Sequence, residues 1–198
     1  MKIGFSSSLL VGCLALPAVA RAEWRAVEKV ETYAIAGTSG PELYASIGER
    51  GPLIGGRGRS IAHTNFTLTW SRKYEPKGDA CTLVSARPKL TITYTLPKPS
   101  EELPASIQKN WETFLTGVHD HELVHGEIIK EMVKEIETLS VGFSVSGDPE
   151  CRKIRTELTK RLSELSLAQR QRSRDFDRVE LSEGGNIHQL ILALVIGG

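Results

Sequence analysis

Apolar and polar residues alternate in the first half of the chain. Positions 66, 68 and 70 are apolar, and so are positions 90, 92, 94 and 96. A period of two is typical of β-strands with one buried face. Turn-forming residues at 76–79 separate the two runs, and the glycine-rich segment 48–59 predicts a mobile loop. Residues 24–100 therefore predict a small antiparallel sheet.

A helical period replaces the alternation after Pro104. Apolar residues and two histidines recur at steps of three or four, which places them on one inward-facing stripe of a long helix. The stripe consists of Trp111, Phe114, Val118, His121, His125, Ile128, Met132, Ile136 and Leu139. Strands followed by long helices predict an α+β domain in which the sheet packs against this helix.

A second long helix is predicted to follow, with Asp148 as its N-cap and Pro149 at its first position. Its polar and basic segment 169–174 indicates a solvated face. The apolar tail at 190–196 is far shorter than the roughly 20 residues that cross a bilayer. It predicts a final strand or docking segment.

The composition favours one globular domain. The chain has 198 residues, of which 40% are hydrophobic and 25% charged, enough for a core of its own. A net charge of +1, without clustered lysine or arginine, argues against a nucleic-acid partner.

The first 22 residues have the pattern of a secretory signal peptide. A basic start is followed by an apolar run and by Ala20 and Ala22, which fit a cut before Glu23. We therefore expect a single domain over 23–198, periplasmic or secreted, without a transmembrane segment in the mature chain. A lipid anchor at Cys13 is the alternative, but the apolar run before it is short and interrupted by serines.

Cleavage would leave two cysteines, Cys81 and Cys151. An even pair in an exported chain predicts a disulfide bond. The bond would close a loop of about 70 residues and stabilise the fold by roughly 4 kcal/mol. The alternative is two small buried hydrophobic residues.

The segment His121-Glu122-Leu123-Val124-His125 is the main chemical signal. Histidines at i and i+4 lie on one side of a helix, at a separation that one zinc ion can bridge. Glu122 would then be the catalytic base that takes a proton from the attacking water. The alternative is a pair of hydrogen-bonded core histidines. His119 is expected at the surface. His63 is expected to be a polar residue without a functional role rather than a neighbour of the substrate.

A hydrolytic zinc site needs a third protein ligand. Glu180 lies 55 residues after His125, a spacing that resembles zinc peptidases whose third ligand is a glutamate on a later helix, and it is our first candidate. Asp177 is expected to orient a histidine, with direct ligation as its other possible role. His188 is the remaining alternative.

Several of these features together resemble a known family. They are Trp111 and Phe114 before the histidine motif, the flanking cysteines, Leu96-Pro97, and the aromatic-Asp step Phe176-Asp177. They resemble a bacterial exported family of unknown function, described as predicted secreted zinc-dependent proteases (the domain of unknown function 922 family), over roughly residues 27–186. Many members continue past the aromatic-Asp step to a His-Gly pair, whereas this chain has no histidine until His188.

The resemblance implies a zincin-like metallopeptidase. We therefore expect a zinc-dependent hydrolase that acts on a peptide or protein substrate through zinc-activated water. The alternative is a non-catalytic cell-envelope protein with an interaction surface on the helix pair.

Overall fold

The computed structural model describes residues 24–56 and 58–197. Within these ranges the fold is α+β, with four helices and a main sheet of four strands, which confirms the expected class. The signal peptide, its cut and the alternative anchor at Cys13 lie outside the described residues.

The strands are β1 (Val27–Ile35), β2 (Leu53–Ile54), β3 (Gly58–Arg59), β4 (His63–Lys77), β5 (Ala80–Pro99) and β6 (Ser144–Val145). In the main sheet the order is β1-β5-β4, and β6 pairs with one end of β5. β4 and β5 form a long antiparallel hairpin whose turn contains Gly78 at φ 61°, a left-handed conformation that favours glycine.

One strand departs from the expected antiparallel sheet. β1 pairs parallel with β5. β4 runs opposite to β1, and the hairpin reverses the chain once more, so β5 has the same direction as β1. In the sheet, β5 lies between β1 and β4. The sheet is therefore mixed.

The helices are α1 (Gly40–Arg50), α2 (Ala105–Ser140), α3 (Lys153–Leu181) and α4 (Asn186–Ile196). The strand pattern did not predict α1. A capping box fixes its start: the Ser39 side chain accepts from the Glu42 backbone N–H, and the Glu42 carboxylate accepts from Ser39 N. The segment expected to be one loop instead holds the end of α1 and the β2–β3 hairpin.

The tail expected as a final strand or docking segment is the helix α4. It buries Ile187 and Leu194 and packs against α2 and α1. The expectation of a docking segment is therefore confirmed, and the expectation of a strand is wrong, because the apolar residues pack against helices and not against a sheet edge. Among the described residues, no helix is both long and apolar enough to cross a membrane.

Helix α3 begins at Lys153 after the N-cap residue Arg152, so the expected start at Pro149 with Asp148 as the N-cap is wrong. Asp148 nevertheless binds the first turn of the helix from four residues before the N-cap. Its carboxylate accepts from the backbone N–H groups of Arg152, Lys153 and Ile154. The later start follows from Cys151, whose φ of 56° is not helical. Cys151 forms the expected disulfide with Cys81 of β5 and thereby ties the start of α3 to the sheet.

Helix α2 is the central element, because α1 and α4 cover its first part and the sheet and α3 cover the rest. Its buried stripe includes Trp111, Phe114, Val118, Met132 and Ile136, as the sequence pattern predicts. Both histidines of the motif lie in the middle of α2. The C-terminal part of α3 packs against this point.

Candidate metal centre

Helix α2 directs two imidazoles to one point. His121 is 8% exposed and His125 is 12% exposed, and their Nε2 atoms are 3.1 Å apart. The spacing of one helical turn explains why both rings leave the same side of the helix.

Helix α3 adds a carboxylate to this pair. Asp177 Oδ1 lies 2.8 Å from His125 Nε2 and 3.2 Å from His121 Nε2. Burial would raise the pKa of Asp177, but the hydrogen bonds and charge of the two histidines outweigh burial and hold it well below its usual range. His125 shows the reciprocal effect, because Asp177 raises its pKa although burial alone would lower it.

These three atoms form a group that could hold a metal ion, in which each residue offers one ligand atom. A tetrahedral zinc ion with ligands at about 2.0–2.1 Å separates them by roughly 3.3 Å. The observed separations of 2.8–3.2 Å require adjustments of a few tenths of an ångström. The donor set of two imidazoles and one carboxylate also fits zinc.

Glu180, our first candidate for the third ligand, lies on the other side of the ring. Its Oε2 is 3.8 Å from Nδ1 of His121, and that buried Nδ1 has no hydrogen-bond partner among the described residues. The geometry therefore favours the reverse of the expected roles, with Asp177 beside the two Nε2 atoms and Glu180 behind one histidine.

His188 lies outside the group. It belongs to the first turn of α4, and its Nδ1 accepts a hydrogen bond of 3.2 Å from the backbone N–H of Gly184. His119 is also directed elsewhere, since its ring meets Tyr94 edge-on at 6.0 Å.

Phe176 gives the histidines an aromatic wall. Its ring stacks on His121 at a centroid distance of 4.6 Å and an angle of 20°, and it meets His125 edge-on at 5.4 Å. The aromatic-Asp step therefore has two physical roles here, because Phe176 restrains the rings and Asp177 meets their Nε2 atoms. In the sequence, only the family resemblance singled out Phe176, whereas Asp177 was already a candidate carboxylate for the metal site.

Glu122 lies beside the histidines but outside the ligand group. It is 5% exposed, and its Oε2 accepts a hydrogen bond of 2.5 Å from Thr64 Oγ1 of β4. Sequence reasoning did not find Thr64, since one threonine in an alternating strand carries no signal of a contact 58 residues away.

A cavity of about 670 Å³ opens over the site. Its walls come from the first residues of β4, from the middle of α2 and from the second half of α3, and both Glu122 and Asp177 line it. β4 is an edge strand of the main sheet, and its residues His63 to Phe66 face this space. His63 thus lies on the cavity wall.

The segment 169–174 of α3 is mostly exposed, as expected of a solvated face, and it also forms part of the same wall. Gln169 is buried, and Arg170, Ser173 and Arg174 line the cavity. Steps of three and four residues place these side chains near the line of Asp177, so the face of α3 that brings Asp177 to the histidines also carries them along the cavity, where Arg170 and Arg174 remain exposed.

Comparison with curated proteins finds no match to this chain, and comparison with solved structures finds none. A family model, "Bacterial protein of unknown function (DUF922)", matches residues 30–185. This range includes the sheet except the first three residues of β1, and it includes the histidine motif, the disulfide and the Phe176-Asp177 step. The chain therefore belongs to the bacterial DUF922 family of proteins of unknown function.

Proposed function

We propose that this protein is an exported zinc-dependent hydrolase, and specifically a peptidase. The observation that carries the proposal is the meeting of His121 Nε2, His125 Nε2 and Asp177 Oδ1 in a cavity that also contains the carboxylate of Glu122. Imidazoles and a carboxylate hold zinc, and an adjacent carboxylate is the base that hydrolysis requires.

The alternative is a histidine cluster held by hydrogen bonds alone. In a neutral imidazole that donates from Nε2 to Asp177, Nδ1 of His121 is an unprotonated acceptor, buried without a donor and facing the Glu180 carboxylate. When Nε2 instead directs its lone pair at a metal ion, the proton resides on Nδ1, where Glu180 attracts it. The surroundings of Nδ1 therefore favour a metal centre.

Zinc, when bound here, supplies an activated water and polarises the carbonyl group that is attacked. The residues of the chain do the rest. His121, His125 and Asp177 would bind the ion, and the Glu180 carboxylate, 3.8 Å from Nδ1 of His121, would attract the proton on that nitrogen. Glu122 accepts the proton of the water and passes it to the leaving amine. Thr64 holds Oε2 of Glu122, while Oε1 makes no hydrogen bond to a described residue and can accept the proton.

The position of β4 supports a peptide as substrate. Its outer edge has no partner strand in the described part of the chain, and its residues 63–66 line the cavity. An extended peptide can pair with such an edge through its main chain, which would bring a peptide bond over the metal centre. The disulfide is consistent with export into an oxidising compartment.

The test compares Glu122→Gln with wild type in untagged, zinc-loaded mature protein, by mass analysis of mixed blocked peptides after incubation. We expect Glu122→Gln to keep zinc and fold but to lose nearly all cleavage, because an amide cannot accept the proton. Glu127→Gln is the matched control, since Glu127 lies on the same helix, is 64% exposed and pairs with Lys130.

Cleavage by Glu122→Gln at the wild-type rate would overturn the assignment of the base. If wild type loaded with zinc cleaves no peptide in the mixture, the non-catalytic envelope protein becomes the better account.

A further inference from the structure

Among the charged side chains that line the cavity over the metal centre, the arginines are more numerous than the carboxylates. Three arginines line it, namely Arg59 of β3 and Arg170 and Arg174 of α3, whereas Glu122 and Asp177 are its only acidic lining residues in the described part of the chain. Both carboxylates have partners, because Thr64 binds Glu122 and the histidines bind Asp177. The wall therefore offers no carboxylate of its own to the arginines.

The contacts of these arginines agree with the lack of a carboxylate partner in the wall. In the described residues, Arg170 makes no ion pair, Arg174 donates only to the neutral Gln171 carboxamide, and Arg59 donates to the backbone carbonyl of Gly51. Other arginines of α3 behave differently. Arg172 pairs with Glu131 and Arg178 pairs with Asp175, and neither lines the cavity.

The helical repeat fixes where the two α3 cations stand. Arg174 precedes Asp177 by three residues and Arg170 by seven, which at 1.5 Å per residue is about 4.5 Å and about 10.5 Å along the axis. The two arginines are thus about 6 Å apart along α3. Side chains on one face of an extended peptide repeat at about 6.6 Å.

From this arrangement we infer that the cavity selects acidic peptides, with Arg174 and Arg170 binding aspartate or glutamate side chains next to the scissile bond. The inference rests on the proposed peptidase function. A guanidinium with unused N–H groups binds a carboxylate by charge-assisted hydrogen bonds. The two residues determine specificity, and they take no part in the bond-breaking step.

The experiment measures both cleavage and binding. Blocked peptides that contain glutamate are compared with the same peptides in which glutamine or lysine replaces it. Cleavage is followed as kcat/KM with the zinc-loaded wild type, and binding is measured on zinc-loaded Glu122→Gln. We expect the glutamate series to be preferred over the glutamine series by about tenfold, with lysine worst, and the preference to weaken as salt is added.

Variants locate the preference. Arg170→Gln and Arg174→Gln should each lower kcat/KM and affinity for glutamate peptides about threefold to fivefold and leave glutamine peptides unchanged. Arg172→Gln is the matched control, because it removes an arginine of the same helix outside the cavity. Arg170→Glu should shift the preference towards lysine peptides.

Equal use of glutamate and glutamine peptides, or the same effect from Arg172→Gln, would overturn the inference while cleavage itself upheld the peptidase function. Conversely, glutamate-selective binding that depends on Arg170 and Arg174, without cleavage of any peptide, would overturn the peptidase function and retain the carboxylate site.

Discussion

At the scale of single residues, the histidine motif could be predicted and its partners only in part. His121, Glu122 and His125 follow from one local spacing. Asp177 and Glu180 are about 60° apart around one helix, so the choice between them depends on how α3 is rotated against α2. That rotation arises from packing along both helices, which no local pattern encodes. The ranking of Glu180 over Asp177 therefore came from spacing alone, and the geometry favours Asp177.

Thr64 is the residue for which the structure makes the sharpest new prediction. Thr64→Val keeps the branched shape but removes the hydroxyl that holds Glu122. We expect kcat to fall about tenfold, with zinc content and KM unchanged, because the base loses its orientation.

Steady-state kinetics with zinc analysis of the same samples provide the check. Thr64→Ser restores the hydroxyl and should recover most of the rate. A Thr64→Val enzyme as fast as wild type, or a serine variant equally slow, would show that this hydrogen bond does not serve catalysis.

At the scale of elements, the strongly periodic segments were predicted correctly. These are the β4–β5 hairpin, the length of α2 and the existence of α3. The parallel pairing of β1 was not predictable locally, since it depends on the return of the chain through the hairpin. The strand alternative for α4 was wrong because a short apolar run fits a buried strand or helix equally well.

The start of α3 gives a prediction about acid stability. Asp148 accepts three backbone N–H bonds, which outweigh the opposing effect of burial and lower its pKa from 3.8. A lowered folded-state pKa contributes stability above the unfolded value, and this contribution is lost as the pH falls through the folded value.

We therefore expect Asp148→Asn to lower Tm at pH 7 by several degrees, and the gap to wild type to close as the pH falls below about 4. Thermal melts of the two metal-free proteins between pH 3 and pH 7 measure this. A gap that stays constant across the range would mean that the carboxylate charge is not what stabilises the first turn of the helix.

At the scale of the whole molecule, the disulfide links the sheet to α3, while α2 carries the histidines between them. The cysteine pair could be predicted from the expected signal peptide and the even count of cysteines after it. The cavity could not, because it forms where β4, α2 and α3 meet, three elements far apart in sequence.

The expected export gives a prediction about the mature chain. Protein recovered from the periplasm or medium should begin near Glu23 and weigh two hydrogen atoms less than after reduction, because Cys81 and Cys151 are bonded. Intact-mass analysis before and after reduction measures both. An acylated Cys13 terminus would contradict the cut, and two cysteines that alkylate without reduction would contradict the bond.

The proposed metal centre, in which the two histidines and Asp177 hold one zinc ion, is tested by the zinc content per chain. Untagged mature protein, dialysed against trace zinc, should hold one equivalent, and Asp177→Ala, His121→Ala and His125→Ala should lose most of it. Glu180→Ala should retain one equivalent at about tenfold to hundredfold lower affinity, as expected of a group behind a ligand. Wild type that takes up no zinc, or an Asp177→Ala variant that binds it as tightly as wild type, would contradict the account.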